Sequence, residues 1–225
     1  MLQKNLTTFF SFILLTCIAQ NLQAQHQPFF NEIQQFKKQD SLSFPPANAI
    51  LLVGSSSFRK WQDVASYFPR YKIINRGFGG SILPDVILYA NDIIIPYHPK
   101  QVVIYCGDND LASSDTITPQ IVLKRFEKLY HIIRSRLPAA TITYVSIKPS
   151  PSRYNLMVKM EQTNNSIKTF LKSEKNTSFI DVFHPMLMAN GKAIPNIFLS
   201  DSLHMNAKGY AIWKNAMLPK LRKDL

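Results

Sequence analysis

The chain has 225 residues, 46% of them hydrophobic, with 26 basic against 14 acidic side chains and a net charge of +12 at pH 7. That length supports one well-buried domain and is thin for two. The lysines and arginines are scattered, with no run longer than Lys37-Lys38, and no nucleic-acid motif accompanies them. The charge therefore does not argue for a nucleic-acid partner; peripheral contact with anionic envelope lipids or acidic glycans, or no partner at all, would account for it equally well.

Residues 1–24 read as a signal peptide. Lys4 precedes the apolar stretch Phe9-Phe10-Ser11-Phe12-Ile13-Leu14-Leu15, which is too short to span a bilayer comfortably, and Ala24 offers a small residue for cleavage before Gln25. The expected destination is the periplasm or the medium. Cys17, after Leu14-Leu15-Thr16, makes a poor lipoprotein box because threonine fits badly just before a modified cysteine. Cleavage leaves Cys106 as the remaining cysteine, so no intrachain disulfide is expected and stability must come from the core.

Residues 25–48 form a polar extension with a short helix predicted over Phe29–Gln39, ending at Phe44-Pro45-Pro46, which cannot continue a helix. The folded body follows over 49–225. Ala49-Ile50-Leu51-Leu52-Val53, stopped by Gly54, is a continuous apolar run of the kind found in a buried parallel strand. The pattern then alternates: a helix over 58–68, a strand over 71–75, a helix over 84–95 and a strand over 101–106. Apolar residues at Ile121, Val122, Phe126, Leu129, Ile132 and Ile133 mark a helix over 119–137. A strand over 141–147, a helix over 153–175, a strand over 178–182 and a last helix from about Asn206 to Arg222 complete the order. This alternation predicts a three-layer α/β/α sandwich around a five-stranded parallel sheet.

In such a sheet chemistry is sought in the loops after the strands. The first holds Gly54-Ser55-Ser56-Ser57, a hydroxyl at a helix start. The second holds Asn75-Arg76-Gly77-Phe78-Gly79-Gly80-Ser81, with glycines whose N–H groups can approach a ligand oxygen. The third holds Gly107-Asp108-Asn109-Asp110, with an amide donor. Near the C-terminus stands Asp201-Ser202-Leu203-His204, a carboxylate three residues before a histidine. A serine attacks carbonyls only when a histidine takes its proton and a third group holds that histidine in the right tautomer. Each residue also has a plain structural use: serine and aspartate as helix caps, asparagine and glycine in turns. Those uses would have to coincide at the ends of successive strands. His26, His98, His131 and His184 lack such a setting and read as surface or packing residues. No Cys-x-x-Cys or His-x-x-x-His spacing suggests a metal, and Gly77-x-Gly79-Gly80 is a weak dinucleotide signal.

In these blocks the chain resembles the SGNH or GDSL hydrolases, over roughly residues 49–214. The resemblance implies a flavodoxin-like fold and a cofactor-free serine hydrolase. Ser56 would be the nucleophile, His204 the general base and Asp201 the carboxylate that orients it. The oxyanion hole would comprise the N–H groups of Ser56 and Gly80 and the side chain of Asn109. The family's Gly-Asp-Ser-Leu reads Gly54-Ser55-Ser56-Ser57 here, which leaves Ser55 and Ser57 as rivals to Ser56. Substrate loops are expected at 81–85, 111–118, 148–154 and 184–199, with Phe78, Lys148, Arg153, Tyr154 and Phe198 offering stacking and charge. Such a mouth suits small acyl groups, acetyl foremost, on glycans or other polar alcohols. Lysophospholipid or thioester hydrolysis is the alternative, and a non-catalytic glycan-binding module the reading from another class.

Overall fold

The computed structural model describes residues 27–223. The leader, Cys17, Ala24, Gln25 and His26 lie outside the described residues. A helix, α1 (Phe30–Leu42), precedes β1 (Ile50–Gly54); the short helical turns α2 (Ser56–Arg59) and α3 (Val64–Tyr67) lead to β2 (Ile73–Gly77). Then come α4 (Leu83–Leu88), α5 (Ala90–Ile93), β3 (Gln101–Tyr105), α6 (Asp108–Ser113) and the long α7 (Pro119–Arg136). The chain ends with β4 (Thr141–Val145), α8 (Met157–Ser173), β5 (Thr177–Ile180) and α9 (Ala207–Met217). Among the described residues no helix is long and apolar enough to cross a membrane.

The five strands are all parallel, in the order β2-β1-β3-β4-β5, as expected for a three-layer sandwich. The continuous apolar run of β1 has a simple cause, since both faces of the sheet are covered. Leu51 and Val53 face a core shared with α1, α4, α7 and α8, while Ile50 and Leu52 face one built from Phe58, Trp61, Phe68, Trp213 and Met217. The chain leaves β1 in one direction and β3 in the other, so their carboxyl ends flank the crevice in which such sheets place ligands. Gly54 closes β1 at φ +126°, and a Cβ there would stand 2.0 Å from the Tyr105 carbonyl oxygen. Only glycine lets the two strands end so close together.

Two helices predicted as continuous are broken, both by tertiary contacts. Over 58–68 the helix stops at Arg59 because the Asn75 side chain donates to the carbonyls of Phe58 (2.7 Å) and Trp61 (3.2 Å), satisfying acceptors that a longer helix would have used. Over 84–95 the break falls at Tyr89, whose ring is buried and whose hydroxyl reaches the Pro28 carbonyl at 2.7 Å. Asp108–Ser113, predicted as loop, is helical. Strand β2 runs two residues further than predicted and takes in Arg76.

Helix α1 is fastened to the body rather than merely laid on it. Ile33 is buried, and Asp40 accepts from Arg76 Nη2 at 2.5 Å and from the Tyr97 hydroxyl. Arg76 Nε donates to the same hydroxyl at 2.7 Å, and its guanidinium lies 5.0 Å from the centroids of Phe36 and Tyr97. Burial, then the Asp40 bond, pushes the Tyr97 pKa up to about 12. Removing one member of such a buried ionic group strands the other. Asp40→Ala should therefore cost about 3 kcal/mol in urea unfolding, whereas a loss below about 0.5 kcal/mol would show that the cluster is solvated like a surface pair.

Candidate active site

The site is assembled at the carboxyl edge of the sheet from four loops. Ser56 opens α2 directly after β1, and its Oγ lies 2.9 Å from His204 Nε2. His204 Nδ1 lies 2.6 Å from Asp201 Oδ2. Asp201 Oδ1 accepts the backbone N–H groups of Leu203 (3.0 Å) and His204 (2.9 Å), so the carboxylate shapes the turn that presents the ring. Ser202, at φ +55°, takes the left-handed position in that turn.

The turn is in turn held by its surroundings. Leu199 N–H donates to the His204 carbonyl at 2.7 Å, and Asn206 caps α9 while donating to the carbonyls of Asn196 and Phe198. The Tyr210 hydroxyl reaches the Ser57 carbonyl at 2.9 Å, tying α9 to α2. Partial burial pushes the Asp201 carboxyl upward. Hydrogen bonds from the His204 ring and N–H and from Leu203 outweigh it and hold Asp201 well below the usual carboxylate range. An ionised Asp201 accepts the Nδ1 proton, which leaves the Nε2 lone pair to receive the Ser56 hydroxyl proton.

The serines on either side of Ser56 have other partners. Ser55 Oγ is buried and accepts from Asn109 Nδ2 at 2.7 Å, and Ser57 is buried, its carbonyl accepting from the Tyr210 hydroxyl. Of the three, Ser56 is the one whose hydroxyl meets the histidine.

Asn109, in the first turn of α6, sits beside Gly80: a Cβ on that glycine would lie 3.6 Å from Asn109 Nδ2. Its orientation follows from donor chemistry. Arg153 Nη2 approaches the amide at 2.8 Å, and a guanidinium can only donate, so Oδ1 must face it and Nδ2 must face Ser55 Oγ and the Ser81 carbonyl (3.2 Å). Arg153 is fixed by Asp108, which also takes Lys148 Nζ and the Tyr105 hydroxyl, each at 3.3 Å. Burial pushes Asp108 up, but the two cations prevail and lower its pKa; burial lowers that of Lys148. Among the described residues neither the Ser56 nor the Gly80 N–H has an acceptor. Asn109 Nδ2 thus meets Ser55, the neighbour of Ser56, and stands beside Gly80.

The expected mouth needs correction. Phe78, Phe198 and Lys148 are buried, the last with 1% exposure, and serve the core and the Asp108 cluster. Arg153 keeps 17% of its side chain exposed while bonding Asn109, and Tyr154 next to it in sequence is 57% exposed. The sequence also holds a second Asp-x-x-His turn, Asp181-Val182-Phe183-His184. His184 Nδ1 lies 2.7 Å from Asp181 Oδ2, with the same backbone pattern as the 201–204 turn. Its outward nitrogen faces Glu161 at 3.6 Å, and no serine. Among the described residues no group of three His, Cys, Asp or Glu side chains could hold a metal ion.

The model of the GDSL-like lipase/acylhydrolase family matches residues 40–212, and the chain belongs to that family of ester hydrolases. No curated protein matches the sequence. Among solved structures, a protein of Streptococcus pneumonia named after platelet activating factor superposes with a TM-score of 0.75 at 18% identity, covering 93% of this chain and 99% of its own. A GDSL-like lipase from Bacteroides thetaiotaomicron gives 0.72 at 18% identity, with 84% and 96% covered. An acetyl xylan esterase from Geobacillus stearothermophilus gives 0.62 at 15% identity, with 80% and 98% covered. At these identities the structural likeness establishes the shared fold.

The depressed Asp201 pKa has a signed consequence. Relative to an unfolded aspartate near about 3.9, the folded carboxyl contributes stability above that pH and loses it only as the pH falls through its lower folded value. The carbon-13 carboxyl signal of Asp201 should thus show no titration step between about pH 4.5 and 7. A full carboxylate-to-carboxylic-acid change in that window, as distinct from a small shift passed on by the His204 ring bonded to it, would mean that the turn does not hold the carboxylate ionised.

Proposed function

We propose that this protein is an exported serine esterase that removes small acyl groups, acetyl foremost, from glycans or other polar alcohols. The observation that carries the reading is the unbroken line Ser56 Oγ, His204, Asp201, with Asn109 Nδ2 bonded to neighbouring Ser55 and set beside Gly80. His204 Nε2 takes the Ser56 proton as Oγ attacks the ester carbonyl. The negative oxygen that forms is met by the N–H groups of Ser56 and Gly80 and by Asn109 Nδ2. Collapse expels the alcohol, which takes the proton back from His204, and water activated by the same histidine then releases the acid and restores Ser56. The longer bond of Asn109, 3.2 Å to the Ser81 carbonyl, is the one an oxyanion would displace.

A polar floor of Asn109, Arg153 and Asp108 favours a small acyl group and a hydroxylated leaving group over a long acyl chain. The acetyl xylan esterase among its structural neighbours supports the same lean. The lipid-acylhydrolase alternative draws on exposed Tyr154 and Leu199 beside the site. Export rests on the Lys4-led apolar leader, with the extension at 25–48 and the hydrolase body at 49–225. A glycan-binding module that has lost turnover would have no need of the intact Ser56–His204–Asp201 line.

The test is hydrolysis of p-nitrophenyl esters from acetate to palmitate by the mature protein. Activity should be greatest on acetate, fall by about 10⁴-fold or more in Ser56→Ala, and by about 100- to 1,000-fold in Asn109→Ala. Ser55→Ala and Ser57→Ala should each retain turnover that depends on Ser56. A folded Ser56→Ala variant with wild-type rates would refute the nucleophile assignment, and a maximum on long chains would transfer the protein to lipid substrates.

A further inference from the structure

We infer that Glu32, in the first turn of α1, is a positioning residue for the oxyanion loop of the proposed esterase site, on whose reading this inference rests. A single oxygen of its carboxylate, Oε2, accepts the backbone N–H of Gly79 at 3.1 Å and is ion-paired with Arg59 Nε at 2.9 Å. Arg59 is the last residue of the helical turn whose first residue is Ser56. Gly79 immediately precedes Gly80, whose N–H is the loop's contribution to the hole. Glu32 therefore joins the element that bears the hydroxyl to the loop that bears the donor, from a segment 47 residues away.

The need for such a bond follows from the loop's own sequence. Gly79 and Gly80 carry no side chains, so nothing of their own restrains rotation of the peptide between them, and Gly79 sits at φ +39°. A donor that turns away from the developing charge contributes nothing to its stabilisation. Glu32 fixes the peptide N–H at Gly79, and the Phe29 ring closes over the same residue: a Cβ there would stand 2.0 Å from Phe29 Cε1. Phe29 is held against Phe78, ring centroids 5.3 Å apart. With the Gly79 N–H committed to Glu32, the Gly80 N–H stays free for substrate.

Glu32 is also dispensable for folding. Its ion pair joins side chains 54% (Arg59) and 26% (Glu32) exposed, and pairs of that kind contribute little stability. Helix α1 is anchored without it, through buried Ile33 and the Asp40–Arg76–Tyr97 cluster. A change at Glu32 should therefore be read in the chemical step.

The experiment is steady-state hydrolysis of p-nitrophenyl acetate, with thermal melting in parallel, by the wild type, Glu32→Ala, Glu32→Gln, Glu32→Asp, Arg59→Ala and Ser56→Ala. Glu32→Ala should lower kcat by about 5- to 30-fold, short of the roughly 100-fold that a full 1 Å misplacement can cost. Its KM should stay within about twofold and its Tm within about 2 °C, because neither uniform substrate binding nor the core is touched. Glu32→Gln retains an acceptor carbonyl at the same reach and should recover to within about threefold of wild type, as should Arg59→Ala, which leaves the Gly79 bond in place. Glu32→Asp, one methylene short, should fall by about fivefold and decides the matter if the alanine variant does not fold. Wild-type kcat in Glu32→Ala or Glu32→Asp, or a Glu32→Gln as slow as Glu32→Ala, would overturn the inference. Full activity in Ser56→Ala would instead overturn the esterase reading, so the two failures are distinguishable.

Discussion

The contact between Ser56 Oγ and His204 Nε2 joins residues 148 apart in sequence, and the rest of the site has meaning only while that contact lasts. A hydrogen bond of this kind is worth about 1 kcal/mol net, far too little to hold the end of β1 against the start of α9. What holds them is aromatic packing. Trp213 lies against Phe58, Trp61 and Tyr105, and Trp61 stacks on Tyr210. Each buried ring removes roughly 150–250 Å² from water, worth at most about 4–6 kcal/mol. The core on that face of the sheet positions the two loops, and the serine–histidine contact is the consequence.

Electrostatic detail is then layered on the packed frame. Asp201 is kept ionised by the turn it builds, so the tautomer of His204 follows from the fold. Arg153, able only to donate, settles which end of the Asn109 amide faces the site, and Asp108 between Lys148 and Arg153 settles where Arg153 can lie. Each of these groups acts through the next; His204 meets the Ser56 hydroxyl and Asn109 meets that of its neighbour Ser55.

Much of this was legible in the chain because it rests on local signals. β1 and β3 are apolar runs closed by a turn or a charged loop, and α7 is a long periodic segment with Thr118 and Pro119 at its start. Gly54 closes β1, Gly80 and Asn109 follow β2 and β3, and the Asp201–His204 turn precedes α9, all at the edge where the parallel topology requires a site. What was not legible depends on partners distant in sequence. Nothing near Phe58 announces that Asn75 will take its carbonyl and end the helix, and nothing near Lys148 announces that Asp108 will bury it. Asp181 and His184 repeat the spacing of Asp201 and His204 and reproduce its local hydrogen bonds. The two turns differ in burial of the ring and in what the packing places beside the outer nitrogen.

The central claim is that Ser56, and neither of its serine neighbours, is the hydroxyl that His204 activates. It is tested most directly by treating the active protein with a fluorophosphonate and locating the adduct by peptide mass spectrometry. The account predicts stoichiometric labelling at Ser56, abolished in His204→Ala. An adduct on Ser55 or Ser57, or full retention of esterase activity after exhaustive treatment without any adduct, would contradict it.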